Sequence, residues 1–485
     1  MAEIHTGTYV RPSKVELLTA WMGSQRWYAS KGATPELTRL DSWRLGDPEG
    51  EVGIETIIVL DTAGTGPVVY QVPLTYRSAP VEGLEHALVG TTEHGVLGPR
   101  WVYDATHDPV YAVQLLAMIR GLVRAESSTA SDEFDDRYVG EPARSWTEEL
   151  TARGAKVLSG EQSNTSIIID TVAADGTDRP VIVKVFRMLS PGDNPDVILQ
   201  TALREAGCER VPAVVGAVRG EWGFTAYAPL SGATLRGLST VHLAFAQEFL
   251  PGVEDAWRVA SRAVEEGTDF REAAHALGRA TAEVHTVLAT ALGTTATTQD
   301  TGSQIMAGMA DRYRQAVAEV PELERFADLV ARVYDTAAEV AWPPMQRIHG
   351  DYHLGQVLHS DKRGWILLDF EGEPLRPLAE RTEPDQWMRD VAGMLRSFDY
   401  AGGSWEHDNP GSARPWVTEA QQGFLEGYAV QSGVDPCDHP ALLTAFELDK
   451  AMYEVVYEAR NRPDWVGIPL AAIDRLTHST QEDHP

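Results

Sequence analysis

The amino-acid sequence predicts an α+β fold with two lobes, a strand-rich lobe followed by a helix-rich one. Short apolar segments separated by turns fill the first half of the chain, and this pattern is typical of sheets. From Leu243 onward, apolar residues recur mostly every three or four positions, as in helices that pack on one face. The length of 485 residues exceeds what one ordinary hydrophobic core accommodates. We therefore expect about two to four domains or lobes.

Residues 1–89 are predicted to form a small sheet-bearing module led by a helix near residues 15–21. Strands are expected within it at residues 53–61 and 67–75. Residues 90–228 are expected to complete the strand-rich part, with strands that include residues 224–230, and residues 229–485 to form the helical part. The helices predicted in that part cover residues 271–290, 321–340, 416–431 and 441–460.

Charge and residue usage exclude several classes of protein. A net charge of −30 opposes nonspecific binding to nucleic acid or to an anionic membrane, because both need a cationic protein surface. Cys208 and Cys437 are the only cysteines, so we expect neither a disulfide framework nor a cysteine-rich metal site. The sequence contains neither a leader-like start nor an apolar run long enough to cross a membrane. We expect a cytoplasmic protein, monomeric or homodimeric, whose partners are small molecules.

Residues 347–356 and the later Asp369-Phe370-Glu371 are the most informative part of the chain. The pattern predicts strand, turn and strand, with an apolar run at residues 365–368 that ends at Asp369. In phosphoryl transfer, one Asp orients and deprotonates an acceptor hydroxyl, while a second Asp and an amide oxygen hold magnesium. Asp351, Gln356 and Asp369 supply that set. Either Asp alone is better explained as a turn residue, but the combination favours phosphoryl transfer.

A lysine interrupts the apolar strand predicted at residues 180–186. Lys184 follows a polar turn at residues 159–166 that leads into the apolar residues 167–169. In an alternating strand the lysine could simply point to solvent. Its place between that turn and the His-Gly-Asp element favours pairing with the phosphates of a nucleotide. Glu205, in a helix predicted at residues 194–206, is the ion-pair partner that we expect for it.

Together these motifs resemble those of the actinobacterial maltokinases and glucosamine kinases, within the aminoglycoside-phosphotransferase-like branch of the kinase superfamily. The resemblance runs through nearly the whole chain. The His-Gly-Asp element alone indicates only the superfamily, and residues 369–374 with residues 447–460 narrow it to this group. The motifs that carry the resemblance are Gln25-Arg26-Trp27-Tyr28, Glu161-Gln162-Ser163-Asn164-Thr165-Ser166, Lys184-Val185-Phe186-Arg187, His349-Gly350-Asp351, His353-Leu354-Gly355-Gln356, Asp369-Phe370-Glu371-Gly372-Glu373-Pro374, Arg389-Asp390-Val391-Ala392-Gly393 and Glu447-Leu448-Asp449-Lys450.

The resemblance implies a bilobal, protein-kinase-like fold of the aminoglycoside-phosphotransferase type with an additional N-terminal cap module. It also implies transfer of the γ-phosphate of ATP to a sugar hydroxyl, with Asp351 as the catalytic base and Gln356 and Asp369 as Mg²⁺ ligands. Gln356 replaces the asparagine of the wider superfamily but offers the same kind of oxygen. The ATP-binding residues implied by the resemblance are Gln162, Ser163, Asn164, Thr165, Ser166, Lys184, Ala226 and Ala228.

Departures from the maltokinase pattern adjoin the elements expected to face the acceptor. Tyr352 replaces a leucine, and Gln386-Trp387 replaces Ser-Pro. A tryptophan can stack on a sugar ring, although core packing is an equally good explanation of Trp387. In the helix after Lys184, Ile198 stands where maltokinases carry a glutamate. The predicted sugar-binding residues are Asp351, His353, Gln386, Trp387, Lys450, Glu454 and Tyr457, of which the last three share one helix face.

Three functions remain open. The first is ATP- and magnesium-dependent phosphorylation of glucosamine to glucosamine 6-phosphate, since the acidic edge at Glu454 suits a protonated amino sugar. The second is phosphorylation of maltose to maltose 1-phosphate, which the overall motif set supports. The third is a catalytically inactive protein that binds a sugar or another partner, which the intact motif residues disfavour. Inactivation of an aminoglycoside antibiotic is a weaker variant of the first.

Overall fold

The computed structural model describes residues 8–158, 163–223, 238–373, 376 and 378–482. The chain divides into two compact units. The first consists of Met1–Thr201 and Pro212–Pro251, and the second of Ala202–Val211 and Gly252–Pro485.

The part of the chain up to residue 251 is strand-rich, as the short apolar segments predict. Its elements in chain order are β1 (Val10–Arg11), α1 (Lys14–Met22), β2 (Leu37–Leu45), β3 (Gly53–Asp61), β4 (Val68–Arg77), β5 (Leu88–His94), β6 (Gly98–Asp104), α2 (Pro109–Ile119), β7 (Glu126–Ser127), β8 (Tyr138–Pro142), β9 (Leu150–Val157), β10 (Asn164–Ala173), β11 (Val181–Phe186), β12 (Met188–Leu189), α3 (Pro195–Glu205), β13 (Val214–Gly223) and β14 (Leu238–Glu248).

Two antiparallel sheets organise the first unit. One has the strand order β1-β5-β6-β4-β3-β2-β7, with β12 paired to β4, and the other has the order β8-β13-β14-β11-β10-β9. Helix α2 packs against strands of both sheets. Its sequence is apolar on nearly all sides, which is typical of a helix enclosed by its surroundings. Tyr111, Leu115 and Ile119 of this helix are buried in one core with Ile167 and Val183 of the second sheet.

A buried arginine joins the two sheets of the first unit. Arg187 follows β11 and is 0% exposed. Its Nη2 donates to both carboxylate oxygens of Asp104, at the end of β6, at 2.9 and 2.7 Å. Its Nε donates to Thr165 Oγ1 in β10 at 2.8 Å, and the guanidinium lies 4.8 Å from the centre of the Trp27 ring. Hydrogen bonds between charged groups are the strong ones, so this cluster fixes strand β10 against the N-terminal sheet.

The remainder of the chain is mostly helical. Its elements are β15 (Glu254–Asp255), α4 (Ala256–Glu266), α5 (Arg271–Leu292), β16 (Thr294–Thr295), α6 (Gln299–Glu319), α7 (Ala327–Glu339), β17 (Met345–Gln346), β18 (Val357–Ser360), β19 (Gly364–Leu367), α8 (Leu378–Arg381), α9 (Met388–Asp408), α10 (Arg414–Ser432), α11 (Pro440–Asn461) and α12 (Gly467–Glu482).

Helices α5 and α10 form an especially close pair in the second unit. A Cβ at Gly278 would lie 2.0 Å from the carbonyl oxygen of Phe424, and one at Gly427 would lie 2.0 Å from that of His275. Only glycine permits backbones to approach this closely. The pair supports helix α9, which packs on α10 and carries residues of the site described below.

The predicted strands and helices are largely confirmed. The strand at residues 53–61 is β3, and the helices at residues 271–290, 416–431 and 441–460 are α5, α10 and α11 within about two residues at each end, the usual uncertainty of helix boundaries. The expectation of a mostly helical chain from Leu243 is wrong for β14, which continues to Glu248. The strand predicted at residues 224–230 and the boundary at residue 228 lie outside the described residues. The three-part division of the chain stays a prediction.

Within the described ranges, no helix combines the length and the apolar character needed to span a membrane.

Replacing Arg187 by Met should lower the free energy of unfolding by about 3–5 kcal/mol, because Asp104 then remains as a buried carboxylate without its cation. The double variant Arg187→Met, Asp104→Asn should recover part of that loss, since no net charge stays buried. Denaturant titration of both variants beside the unmodified protein measures the difference. Equal losses in the single and double variants would contradict the ion-pair explanation.

Candidate active site

The loop that carries Asp351 is held by one buried carboxylate. Asp390, in the first turn of α9, is 1% exposed. Its Oδ2 accepts from the backbone N–H of His349 (2.8 Å) and its Oδ1 from that of Gly350 (2.9 Å). His285 Nε2 lies 3.0 Å from the same Oδ2. Buried backbone donors need acceptors, so Asp390 fixes the two residues that precede Asp351.

The same face of α9 positions the rest of the loop. At Gly393, about one turn after Asp390, a Cβ would lie only 2.5 Å from the carbonyl oxygen of Tyr352. Ser397, a further turn along, accepts at its Oγ from the backbone N–H of Leu354 (3.1 Å). Positions three or four residues apart share one face of a helix. Helix α9 is thus a platform against which residues 349–354 are fixed.

His349 connects this loop to the strand that leads to Asp369. Its Nε2 lies 2.7 Å from the carbonyl oxygen of Leu368, an acceptor, so Nε2 carries the proton. Nδ1 then accepts from the backbone N–H of Asp351, at 3.4 Å. The ring packs on Phe370, with 4.6 Å between ring centres. His349 is therefore a positioning residue that holds the two Asp-bearing segments in a fixed relation.

Strand pairing brings Gln356 beside Asp369. In the β18–β19 ladder Val357 lies opposite Leu367, and the backbone N–H of Leu368 donates to the carbonyl oxygen of Gln356 (2.9 Å). The side-chain Nε2 of Gln356 donates to Asp369 Oδ2 at 3.1 Å. Asp369 has a φ of 60°, a conformation that residues with a Cβ seldom adopt. Such conformations concentrate at functional sites.

A third oxygen donor, which the sequence interpretation missed, lies close to these two. A carboxylate oxygen of Glu371 lies within 4.8 Å of one of Asp369. Arg381 Nη1 donates to the backbone carbonyl of Glu371 (2.8 Å) and so orders that residue. Carboxylate and amide oxygens are the donors that Mg²⁺ prefers. The donor set of Gln356, Asp369 and Glu371 therefore fits a hard divalent cation, and the tripeptide Asp-Phe-Glu was the signal that could have included Glu371.

Asp351 itself is ion-paired. Lys450 Nζ, on α11, donates to Asp351 Oδ1 at 3.0 Å. Burial alone would raise the pKa of Asp351, but the charge and hydrogen bond of Lys450, with smaller contributions from the nearby histidines, outweigh burial and hold that pKa below its ordinary value. Burial opposes the charge of Lys450, but Asp351, Glu373 and Glu454 together outweigh burial and raise the pKa of Lys450 far above its ordinary value. Asp351 is consequently a carboxylate at neutral pH, ready to accept a hydrogen bond.

The predicted helix face on α11 exists, and its carboxylate is already bonded. Lys450 and Glu454 lie one turn apart, and Glu454 Oε2 accepts from Arg396 Nη2 at 2.6 Å. Burial raises the pKa of Glu454, and Arg396 only partly opposes that shift. Tyr457, a further turn along, is 46% exposed and stacks on Tyr453. Glu454 thus supplies the predicted acidic group, but a cationic ligand that binds it would share its carboxylate with Arg396.

Two of the predicted sugar-binding residues lie in the interior. Gln386 is 0% exposed, and its Nε2 donates to Thr297 Oγ1 (2.8 Å) and to the carbonyl oxygen of Pro343 (2.9 Å). Trp387 is 6% exposed and stacks on Tyr428, with 5.3 Å between ring centres. As placed, neither side chain offers a surface to a bound sugar. The core-packing explanation of Trp387 agrees with this position, and a sugar contact of either residue stays a prediction that its burial disfavours.

Tyr352 and His353 flank the loop in different ways. Tyr352, expected to adjoin the acceptor, is 2% exposed, and its hydroxyl lies 2.8 Å from Thr281 Oγ1. His353 accepts at Nδ1 from the backbone N–H of Gly355 (3.1 Å), which leaves Nε2 as its donor. Burial lowers the pKa of His353 and Asp351 raises it, with a net lowering. Tyr352 therefore supports the loop from within, whereas the lowered pKa leaves His353 mostly neutral at neutral pH, and Lys450 is the cation that pairs with Asp351.

The lysine of the strand-rich unit has a different partner from the predicted one. Lys184, in β11, donates to Asp196 Oδ2 at 3.0 Å, and Asp196 is 1% exposed. Gln200 Nε2 donates to the other oxygen of Asp196 at 2.6 Å. The expectation of Glu205 is corrected: the carboxylate lies in the first turn of α3, two residues before Ile198. Asp196, which is shorter and lies two positions earlier, takes the place of the glutamate that the resemblance led us to expect at the position of Ile198.

The polar turn is described only from Ser163 onward. Ser163 is exposed, and Asn164 and Ser166 are paired in register with Phe186 and Lys184 of β11. The hydroxyl of Thr165 accepts from the buried Arg187 and is occupied there. Three predicted ATP-binding residues lie outside the described residues: Gln162, Ala226 and Ala228.

Two models of known protein families match the chain. Residues 155–428, more than half of the chain, match the phosphotransferase enzyme family. Residues 21–108 match the maltokinase N-terminal cap domain. The chain belongs to the phosphotransferase enzyme family, and it is a phosphotransferase that acts on a hydroxyl group.

Individual relatives are more distant. The chain is 28% identical to the glucosamine kinase of Streptacidiphilus jiangxiensis over 358 residues, which cover 68% of this chain and 76% of that protein. It is 29% identical to the glucosamine kinase of Mycolicibacterium smegmatis (strain ATCC 700084 / mc(2)155) over 355 residues, 68% of this chain and 82% of that one. A solved glucosamine kinase in complex with glucosamine, ADP and inorganic phosphate has a TM-score of 0.64, is 22% identical, and the match covers 96% of this chain and 99% of that one. At that identity the likeness confirms the predicted fold.

Replacing Lys450 by Met should move the acid limb of the pH–kcat profile to higher pH. Asp351 must be ionised to accept a proton, and losing its cation leaves burial to raise its pKa, by about 1–3 units for a close opposite charge. Lys450→Arg, which keeps the charge, is the matched control and should retain the low acid limb. A profile for Lys450→Met that falls off at the same pH as that of the unmodified protein would contradict the coupling.

Proposed function

We propose that this phosphotransferase transfers the γ-phosphate of ATP to glucosamine, with Mg²⁺ as cofactor, and forms glucosamine 6-phosphate. The observation that carries the proposal is the carboxylate of Asp351, whose backbone N–H donates to His349 and whose side chain is paired with Lys450. The names of the two relatives above, which the chain matches over most of their length, support glucosamine as the acceptor.

In the proposed reaction, a hydroxyl of the sugar donates a hydrogen bond to Asp351. The oxygen of the sugar hydroxyl forms a bond to the γ-phosphorus. The bond from that phosphorus to the β,γ-bridging oxygen breaks, and ADP leaves. The hydroxyl proton passes to Asp351 and then to solvent. Because the pKa of Asp351 is low, proton transfer becomes favourable only once the new O–P bond has acidified the hydroxyl. The carboxylate contributes mainly orientation, and then accepts the proton late.

Mg²⁺ would be held by the oxygen of Gln356 and by Asp369, with Glu371 as a further donor. When bound, the ion neutralises charge on the phosphates and on the departing ADP. The amide nitrogen of Gln356 faces Asp369, and a rotation of the amide group would present its oxygen to the ion. The strand pairing that places Gln356 beside Asp369 does not depend on the ion.

On the nucleotide side, Lys184 is the proposed contact to the phosphates. Its ammonium group donates to Asp196, and Gln200 in turn donates to the other carboxylate oxygen of Asp196. A lysine whose position is fixed by a buried carboxylate loses little side-chain entropy when it binds an anion. The roles of Ser163, Asn164 and their neighbours over the triphosphate, and of Ala226 and Ala228 at the adenine, are part of the same proposal.

The acceptor side supports an amino sugar through its charge. Asp351 and Glu454 face the ammonium of Lys450, and Tyr457 offers an exposed ring beside them. A glucosamine ammonium bonded to a partly buried carboxylate gains roughly 1.5–3 kcal/mol over a neutral group. Since Glu454 is bonded to Arg396, we place the expected gain at the lower end of this range.

Maltose is the second candidate acceptor, and one observation favours it. The N-terminal residues 21–108 match a cap domain that is named for maltokinases. The carboxylates on the acceptor side give maltose no advantage, because a neutral disaccharide has no cation to pair with them. A catalytically inactive protein stays the least favoured alternative, because Lys184, Asp351 and Gln356 all keep partners suited to catalysis.

A sugar panel decides between these acceptors. With ATP and Mg²⁺, glucosamine should give a higher kcat/KM than glucose, maltose, N-acetylglucosamine or an aminoglycoside, by about tenfold over glucose for the charge-assisted bond. Asp351→Asn is the matched blank and should lose about 10²–10⁴-fold in kcat while still binding ATP. A preference for maltose would make the second candidate correct, and full turnover by Asp351→Asn would refute the assigned base.

Variants of the two predicted metal ligands should differ in severity. Asp369→Ala should abolish Mg²⁺-dependent turnover, whereas Gln356→Ala should raise the Mg²⁺ concentration needed and retain some activity. The reason is that an anionic ligand offsets the charge of the ion, while an amide only completes its coordination. Titrating Mg²⁺ at saturating ATP and sugar measures both. Unchanged metal dependence in both variants would rule out this site.

A further inference from the structure

A cavity in the helical unit is lined by α9, α10 and α12. Its volume is about 240 Å³. Glycines let the helices close around it: a Cβ at Gly402 would lie 2.3 Å from Val417 Cγ2, and one at Gly403 would lie 2.6 Å from Ile468 Cγ2. Neither the proposed base nor the proposed magnesium ligands line it. The chemistry of this cavity is therefore separate from the transfer reaction.

Arginines converge on one carboxylate at the wall of this cavity. Asp399 is buried and accepts from Arg396 Nη1, from Arg414 Nη1 at 2.5 Å, and from Arg475 Nη2 at 2.5 Å to each oxygen. Burial raises the pKa of Asp399, but these three cations outweigh it and leave the pKa below its ordinary value. Within the described part of the chain, only Arg396 of the three has a second carboxylate partner, Glu454. The directly bonded groups thus hold three positive charges against two negative ones.

Two further acids lie near the cluster. Glu406, on the rim of the cavity, accepts from the hydroxyl of Ser412 and the backbone N–H of Ala413. Both donors are neutral, so the negative charge of Glu406 offsets the third arginine, and unused guanidinium N–H groups rather than a surplus of positive charge favour an anion here. Burial raises the pKa of Glu447 to about 7, although Arg396 opposes the shift. Glu447 thus carries only part of a charge at neutral pH.

Arg414 and Arg475 keep unused donors at the cavity. Their side chains are 36% and 44% exposed. Arg475 uses only Nη2 toward Asp399, and across the described ranges its Nε and Nη1 meet no acceptor; the same holds for Arg414 Nε. A guanidinium fork with free N–H groups matches the oxygens of a phosphate. Pockets for larger ligands begin at about 300 Å³, so the volume suits a ligand smaller than a nucleotide.

We propose that this cavity binds a small phosphate-bearing molecule, either inorganic phosphate or the phosphate monoester of a small polyhydroxy compound, through Arg414 and Arg475. Arg396 connects the cavity to the acceptor helix, because it bonds Asp399 with one nitrogen and Glu454 of α11 with another. If an anion binds Arg414 and Arg475 in place of Asp399, then Arg396 becomes the main hydrogen-bond donor to Asp399. Two ion pairs thus connect the cavity wall to the helix that also carries Lys450.

Calorimetric titration of the full chain with inorganic phosphate tests the proposal. A saturating non-hydrolysable ATP analogue and Mg²⁺ are present, so that the phosphate positions of the nucleotide are occupied. We expect one phosphate to bind, and Arg475→Gln to weaken it at least about tenfold, as expected for the loss of a charge-assisted contact. Arg258→Gln, at an arginine with a 74% exposed side chain elsewhere in the unit, is the matched control and should bind as the unmodified protein does.

A second variant keeps the charges and fills the space. Gly467, Ala471 and Arg475 share one face of α12, and a Cβ at Gly467 meets no atom within 4 Å. Gly467→Leu should therefore abolish phosphate binding while its thermal unfolding stays that of the unmodified protein. Phosphate that binds Gly467→Leu or Arg475→Gln as tightly as the unmodified protein overturns the proposal, and so does a failure to bind at all.

Two further ligands distinguish the sources. Tighter binding of a hexose phosphate than of inorganic phosphate identifies the phosphate monoester, and the reverse order identifies free phosphate; both support the site. Equal competition by succinate overturns the assignment to phosphate. None of these readouts requires turnover, so failure of the site is distinguishable from failure of the proposed sugar kinase activity.

Discussion

The buried carboxylate of Asp390 is the interaction on which the active site depends. It accepts from two consecutive backbone N–H groups, one of them at Gly350, whose φ of 83° is a conformation that glycine adopts readily. Asp390 is itself held through His285, whose Nδ1 lies 2.9 Å from the Tyr428 hydroxyl. These two residues belong to α5 and α10, the pair that glycines bring into close contact. The close packing of α5 and α10 therefore fixes Asp390, and through it the backbone that precedes Asp351.

Alternating charges, rather than an apolar pocket, make up the surroundings of that base. Asp351 bonds Lys450, Glu454 bonds Arg396, and Arg396 bonds Asp399. Ion pairs that are buried gain little net stability, because desolvation offsets their attraction. Their contribution here is positional: each charged group is held by a partner of opposite sign and so has one preferred orientation.

Much of the fold was predictable from the sequence, and the errors have local causes. Strand β3 and helices α5, α10 and α11 follow apolar periodicity, which the chain carries within each segment. Helix α9 escaped prediction because buried polar groups, among them Asp390, Arg396 and Asp399, interrupt its apolar stripe. The second half of strand β14 was missed because the helical part was expected to begin at Leu243, inside that strand. A polar residue that is satisfied by a distant partner looks, in sequence, like a surface residue.

The sequence by itself determined the pair of Gln356 and Asp369, because both lie in one short hairpin whose register joins them. It also determined the fold family, through motifs that are contiguous in the chain. Only the tertiary structure decided that Asp196 rather than Glu205 holds Lys184, that Gln386 and Trp387 are buried, and that Glu454 is bonded by an arginine. These outcomes depend on which distant segments pack together, and burial and charge pairing are properties of that packing rather than of any local pattern.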